Sequence, residues 1–217
     1  MLHIGVPSSL QISMEAGAFA VSGIIIGTIG AVAQAAHQIA LSCASFTFMV
    51  SMGLAQAGSI RVSNAFGNKN WPKIMLIGKS TIITALLYGF FCAMAFVIFR
   101  HQLPELFNDN SAVLDMAAML LLFAALFQIS DSTQAIAAGL LRGIKDVRTP
   151  TILIGIAYWV VGLPAGYWLA FYWNTGAAGM WLGFIIGLTL ASVFLITRFL
   201  KMGKKAAGVN QAAVGRV

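Results

Sequence analysis

Two acidic residues, Glu15 and Asp131, lie inside long apolar stretches of the 217-residue chain. An ionised carboxylate in the hydrocarbon core of a bilayer costs at least about 3 kcal/mol, so such residues usually mark a site for a proton, a cation or a cationic ligand. The alternative is a protonated carboxyl group that is hydrogen-bonded between helices. The four other acids lie in or beside predicted loops: Glu105, Asp109, Asp115 and Asp146.

Glutamine side chains accompany both acids at helical spacing. Gln11 lies one turn before Glu15, and Gln128 and Gln134 lie three residues on either side of Asp131. Each acid therefore shares a helix face with amide oxygens, and hard cations prefer oxygen ligands. This pattern is compatible with Na+ at Glu15 and Asp131 as well as with a proton.

A polar stripe follows one face of the second apolar stretch. Gln34, Gln38, Ser42 and Ser45 recur at spacings of four, four and three residues, and His37 lies beside them. Such a stripe can line a cavity. It can equally consist of small polar groups that hold helices together, and for His37 alone we favour this second interpretation.

The elements that must position these residues are membrane helices. Hydrophobic residues make up 59% of the chain and charged residues 9%, with mean hydropathy +0.89, whereas soluble domains carry roughly 25% charged residues. No charged residue falls between Ala16 and Ile60 or between Thr149 and Thr197. A water-soluble globule is excluded. Because these runs lack the alternation of a β-barrel, the predicted class is an all-α polytopic membrane protein.

Breaks in hydrophobicity predict six transmembrane helices, with Ser111 as the N-cap of the fourth and a bend at Gly162–Pro164 in the fifth. The helices form one unit over residues 1–200, followed by a flexible cytoplasmic tail over residues 201–217. The predicted helices span residues 4–29, 31–65, 71–99, 111–141, 150–172 and 177–200.

The positive charges predict the orientation of the helices. Twelve of the 13 Lys and Arg residues fall on the side of the two termini, and Arg100 alone falls on the opposite side. Basic residues accumulate in short cytoplasmic loops, so we expect both termini in the cytoplasm. The net charge of +7 is then explained by topology and by contact with anionic membrane lipid, and we expect no nucleic-acid partner.

Several chemical motifs are absent from the sequence. It has no phosphate-binding loop, no paired Cys and His at metal-ligand spacing, and no Gly-x-Ser-x-Gly elbow. Cys43 and Cys92 lie inside apolar runs, where they serve as small packing residues. We therefore expect neither an enzyme nor a cofactor, and any energy for transport would come from an ion gradient.

Four ordered strings carry a resemblance to a known family. The chain resembles the multidrug and toxic compound extrusion (MATE) family in its NorM-like branch, and specifically the C-terminal lobe, which holds the seventh to twelfth helices of that family. The strings are GVPSSLQ (residues 5–11) followed by Glu15 and Phe19, AAHQIA (35–40), FMVSMGLAQAGSIRVSNAFG (48–67) and GLLRGIKDVRTP (139–150).

The resemblance implies a cation-coupled antiporter that exports organic, often cationic, drugs in exchange for Na+ or H+. Glu15 and Asp131 match the acids tied to cation binding on the seventh and tenth helices of that family. Phe127 stands where some members carry a tyrosine, which removes one hydroxyl ligand and leaves the coupling ion open. The candidate cavity-lining residues are Gln11, Gln34, His37, Gln38, Phe127, Gln128 and Gln134.

The resemblance also implies a partner for this chain, because family members have about twelve helices in two lobes. We favour a fragment that lacks its N-terminal lobe, and the alternative is a chain that pairs with a second copy of itself. The sparse loops favour a bacterial inner membrane. Two rival functions are a flippase for lipid-linked precursors, which would be expected to have a more cationic cavity, and a non-transporting membrane remnant.

Overall fold

The computed structural model describes the backbone of residues 2–214 and the side chains of residues 5–203. Within this part of the chain every regular element is helical, and six helices are long and apolar enough to cross a membrane. This confirms the predicted fold class. The elements are α1 (Leu2–Ile29), α2 (Ala31–Gly67), α3 (Trp71–Ile98), α4 (Gln102–Glu105), α5 (Ser111–Gly143), α6 (Arg148–Gly155), a π-helical segment (Ile156–Gly162), α7 (Leu163–Tyr172) and α8 (Ala177–Val214).

Local chemistry explains where the helices begin. Gly30 separates α1 from α2 with φ 154°, a backbone conformation that favours glycine. Asn70 caps α3 by accepting a hydrogen bond from the backbone N–H of Lys73 at 3.0 Å. Asn110 caps α5 in the same way, accepting from the backbone N–H of Ala112 at 3.0 Å. The prediction of Ser111 as this cap is wrong by one residue, because Ser111 is already helical.

The fifth span is interrupted where the sequence predicts a bend. The π-helical segment Ile156–Gly162 joins α6 to α7, and the backbone N–H of Leu163 donates to the carbonyl of Tyr158, five residues earlier. Pro164 has no N–H and cannot make an α-helical bond to the preceding turn. The irregularity therefore ends where proline removes a donor.

Two segments differ from their predicted description. The loop between α3 and α5 contains the short helix α4, which the sequence analysis does not predict. Helix α8 continues to Val214, beyond the predicted end at Leu200. Most of the predicted flexible tail falls on residues 204–217, which lie outside the residues whose side chains are described, so its flexibility stays a prediction.

Helix α5 lies at the centre of the bundle and packs against α2, α3 and α8. Residues 131–141 of this helix are all buried. Glycines allow close approach: a Cβ at Gly139 would stand 2.6 Å from the carbonyl oxygen of Ala55 in α2. Helix α1 lies at one side of the bundle, against α6 and α2.

Candidate functional site: a cavity with two carboxylates

A half-open cavity of about 650 Å³ lies between α1, α2, α5 and the π-helical segment. Its walls are largely apolar and aromatic, and four rings contribute to them: Phe19, Phe48, Phe127 and Tyr158. Glu15 and Asp131 both line this cavity. The fold therefore brings the two intramembrane acids, which are 116 residues apart in sequence, into a single site.

Glu15 is held by two amides. Gln11 Nε2 donates to Glu15 Oε1 at 3.1 Å from one turn earlier on α1. Gln134 Nε2 donates to the same oxygen at 2.9 Å from α5. Neither bond uses Glu15 Oε2. The amides orient the carboxylate towards the cavity, and the bond from Gln134 ties α1 to the central helix.

Asp131 lies in the most buried part of α5, with 4% of its surface exposed. Gln134 lies three residues later on this helix and hydrogen-bonds Glu15. This bond fixes the position of Glu15 relative to the helix turn that carries Asp131. An ionised carboxylate at such a position is stable only with a cation or strong donors nearby. Within the described residues no group of three or more His, Cys, Asp and Glu could hold a metal ion, so amide and water oxygens would complete any cation site.

The structure divides the predicted cavity-lining residues into two groups. Gln34, His37, Gln38 and Phe127 line the cavity, as does Ser45 of the polar stripe. The other three glutamines do not line this cavity, and the assignment of Gln11, Gln128 and Gln134 as lining residues stays a prediction.

Hydrogen bonds explain why these three glutamines lie elsewhere. Gln11 and Gln134 are turned towards Glu15. Gln128 is fully buried and donates to Ser132 Oγ at 3.4 Å, beside the contact between Ser132 and Ser51 of α2. It therefore belongs to the α2–α5 interface. Ser42 of the polar stripe likewise donates to the carbonyl oxygen of Gln38 at 2.8 Å.

Three aromatic residues of the cavity wall are absent from the predicted set: Phe19, Phe48 and Tyr158. Phe19 follows Glu15 by one helical turn and packs edge-on against Phe127, with ring centroids 5.9 Å apart. Its helical spacing from Glu15 could have indicated it. Tyr158 packs against Phe19 at 5.8 Å and comes from the π-helical segment. Nothing in the sequence gives the direction of its side chain, because a π-helical turn shifts the register of the residues around it.

Three polar contacts attach the first half of α1 to the other helices. Besides the bond from Gln134, Thr151 Oγ1 donates to the carbonyl oxygen of Pro7 at 3.0 Å, and Trp159 Nε1 donates to that of Met14 at 3.1 Å. The π-helical segment thus supplies both a cavity wall and a support for the turn that carries Glu15.

The chain is similar in sequence to known multidrug resistance proteins. The MatE family model matches residues 7–168. A probable multidrug resistance protein NorM of Acinetobacter baylyi is 40% identical over 208 residues, which are 95% of this chain and 46% of the relative. The multidrug resistance protein MdtK of Proteus mirabilis is 40% identical over 203 residues, 90% of this chain and 44% of the relative. The chain spans a little under half the length of these curated relatives.

The fold is that of one half of solved MATE transporters. The eukaryotic MATE transporter AtDTX14 matches 94% of this chain with 47% of its own, at TM-score 0.86 and 22% identity. A MATE structure in the straight conformation matches 95% of this chain with 46% of its own, at TM-score 0.89 and 19% identity. Since the family model covers most of the chain and the curated relatives cover nearly all of it, the chain belongs to the MATE family of integral membrane transporters and has the fold of one six-helix lobe.

Proposed function

We propose that this chain is one lobe of a cation-coupled antiporter that exports organic, often cationic, compounds across the membrane by alternating access. The observation that carries the proposal is the placement of Glu15 and Asp131 in one cavity with apolar and aromatic walls. Aromatic walls accept the body of many flat drugs, while carboxylates attract a positive charge. The combination suits a ligand that is both apolar and cationic.

The same carboxylates bind the coupling cation, which is Na+ or H+. Asp131 is almost fully buried, and in a low dielectric it requires either a cation or a proton. A drug cation in the cavity supplies the same positive charge. Drug and coupling cation therefore compete, and each favours the conformation to which it binds better.

A second lobe completes the transporter. The curated relatives are about twice as long as this chain, and the cavity is open on one side. The N-terminal lobe of such a relative, or a second copy of this chain, would close it. In a bacterial inner membrane both termini lie in the cytoplasm, where the basic residues contact anionic lipid.

Ethidium efflux from drug-hypersensitive bacterial cells tests the proposal. The chain is expressed alone and with the N-terminal half of the Acinetobacter baylyi relative, and membrane levels are matched by immunoblot. Three variants are compared with the wild type: Asp131→Asn, Glu15→Gln and Asp115→Asn. Asp115 is the matched control, because it is an exposed acid on the same helix as Asp131.

We expect efflux from the wild type and from the Asp115→Asn variant with a second lobe present, and a loss of at least about ten-fold from the two cavity variants. Efflux from the chain alone, abolished by Asp131→Asn, would identify the second lobe as another copy. Equal efflux from wild type and Asp131→Asn would overturn the proposal. A lack of efflux in every pairing would favour a non-transporting protein.

A further inference from the structure

His37 of α2 is a buried polar residue without a partner. Its side chain is 1% exposed, it lines the cavity, and neither ring nitrogen has a hydrogen-bond partner in the described structure. Gln34, one turn earlier, also lines the cavity, and its buried Oε1 has no partner. Buried donors and acceptors are satisfied in nearly all native proteins, and an unmade bond costs about 1–3 kcal/mol. Two adjacent unpartnered groups that line the same cavity are therefore available to hydrogen-bond a ligand that enters it.

The two side chains are held against glycines of α1. A Cβ built on Gly23 would stand 3.9 Å from both Gln34 Nε2 and His37 Nε2, and one on Gly27 would stand 3.7 Å from Gln34 Oε1. Gly23 lies eight residues after Glu15, which corresponds to about 12 Å along the helix axis. The unpartnered groups and the carboxylates therefore occupy different ends of one cavity.

Aromatic rings lie between the two ends of the cavity and fix the position of His37. Phe19 lies between Glu15 and Gly23 on α1 and lines the cavity with Phe127. Trp181 packs edge-on against both Phe127, at 5.5 Å, and His37, at 5.9 Å between ring centroids. The imidazole is thus fixed by packing rather than by a hydrogen bond, and its nitrogens remain available.

We propose that Gln34 and His37 form a hydrogen-bonding subsite that recognises the polar end of an aromatic cation whose charge is held by Glu15 and Asp131. This inference rests on the proposed function and adds a specificity determinant to it. The available acceptors are Gln34 Oε1 and one nitrogen of the neutral imidazole. The preferred ligand therefore carries a hydrogen-bond donor, such as an aromatic amine, on the ring system away from its charge.

Two cations of equal charge test the subsite. Ethidium carries two aromatic amino groups, and 5-ethyl-6-phenylphenanthridinium is the same ring system without them. The affinity of each is measured on the purified full chain in detergent micelles, by fluorescence anisotropy for ethidium and by competition against ethidium for the analogue. The variants are His37→Phe, His37→Gln, Gln34→Leu and Asp131→Asn. The control is Gln56→Leu, which alters an exposed glutamine of α2 that does not line the cavity.

We expect the wild type to bind ethidium about three- to ten-fold more tightly than the analogue, the range of one or two net hydrogen bonds. His37→Phe and Gln34→Leu each reduce this ratio while leaving the affinity for the analogue unchanged, which also shows that the cavity is intact. His37→Gln retains part of this preference for ethidium because it keeps a polar group, and Gln56→Leu retains all of it.

Asp131→Asn separates the subsite from the proposed function, since it should weaken both cations equally. If His37→Phe and Gln34→Leu both keep the wild-type ratio of ethidium affinity to analogue affinity, the subsite is overturned. Weaker binding of ethidium by Asp131→Asn would still support the proposed function in that case. Equal binding of ethidium by wild type and Asp131→Asn would overturn the proposed function and the subsite with it.

Discussion

The two sides of this lobe are packed differently. In the apolar 18-residue stretches of α5 and α8, 50% and 56% of the residues are buried inside the protein. In the corresponding stretch of α1, only 17% are buried. The first side is held by backbone contacts at glycines and the second by a few polar side-chain bonds. The difference indicates a rigid frame that carries Asp131 and a more weakly attached helix that carries Glu15, with the cavity between them.

Backbone contacts dominate the frame. Beyond Gly139, a Cβ at Gly143 of α5 would stand 2.8 Å from the carbonyl oxygen of Ser59 in α2. A Cβ at Gly183 of α8 would stand 2.4 Å from the carbonyl oxygen of Gly162. Apolar side chains gain little from leaving lipid for protein, so membrane helices associate through such close packing.

The frame is most sensitive to a large side chain at Gly139. Gly139→Leu forces the side chain into the backbone of α2, so we expect a cost at the upper end of the roughly 1–3 kcal/mol that overpacking typically causes. We expect loss of a monodisperse peak and of the cooperative unfolding transition in SDS titrations. Gly53→Leu is the control, because a Cβ at Gly53 of α2 has no neighbour within 4 Å. Equal stability of the two variants would contradict the close α2–α5 contact.

A polar pair inside the frame should have an intermediate effect. Ser51 Oγ, which is fully buried, donates to Ser132 Oγ at 3.0 Å. Ser132→Ala leaves this donor unpaired, and we expect a loss of about 1–2 kcal/mol in the free energy of unfolding. Ser63→Ala is the comparison, since the exposed Ser63 hydroxyl bonds only the carbonyl oxygen of Ile60 in its own helix. An equal loss of unfolding free energy in both variants would contradict a stabilising role for the buried hydrogen bond between Ser51 and Ser132.

A substitution on the cavity side of the lobe should lower the free energy of unfolding least. Trp159→Phe keeps an aromatic ring near Gly17 but removes the bond from Trp159 Nε1 to Met14. We expect a cost of about 0.6 kcal/mol and faster hydrogen exchange of the α1 amides around Met14. Trp168→Phe, at a tryptophan that is 61% exposed, should change neither quantity. A cost as large as that of Gly139→Leu would show that α1 belongs to the rigid frame.

The sequence predicted the membrane helices and the two buried acids, but not the contacts of the glutamine side chains. Charge-free runs located the six spans, and the cost of burying an acid singled out Glu15 and Asp131 before any contact was known. The hydrogen-bond partner of each glutamine side chain could not be predicted in the same way. Gln128 and Gln134 share the face of Asp131 by spacing, yet one bonds Ser132 and the other bonds Glu15, because the neighbouring helices decide which partner is within reach.

The π-helical segment shows the same limit. Pro164 and Gly162 indicated an irregularity, but only the observed register directs Tyr158 into the cavity and Trp159 towards Met14. His37 shows a different limit, since a histidine in an apolar run is usually a satisfied packing group. Within the described residues its nitrogens have no partner because Gly23 of α1 and Trp181 of α8 pack against it without offering one, and the sequence does not predict these neighbours.

The most direct test of the account is competition between drug and coupling cation for one site. Ethidium binding to the purified chain is measured while Na+ is raised at constant ionic strength with choline, and separately while the pH is lowered. We expect the ethidium affinity of the wild type to fall with rising Na+ or rising H+, and that of Asp131→Asn to lose this dependence. An ethidium affinity that depends on neither cation in the wild type would contradict a shared site at Glu15 and Asp131.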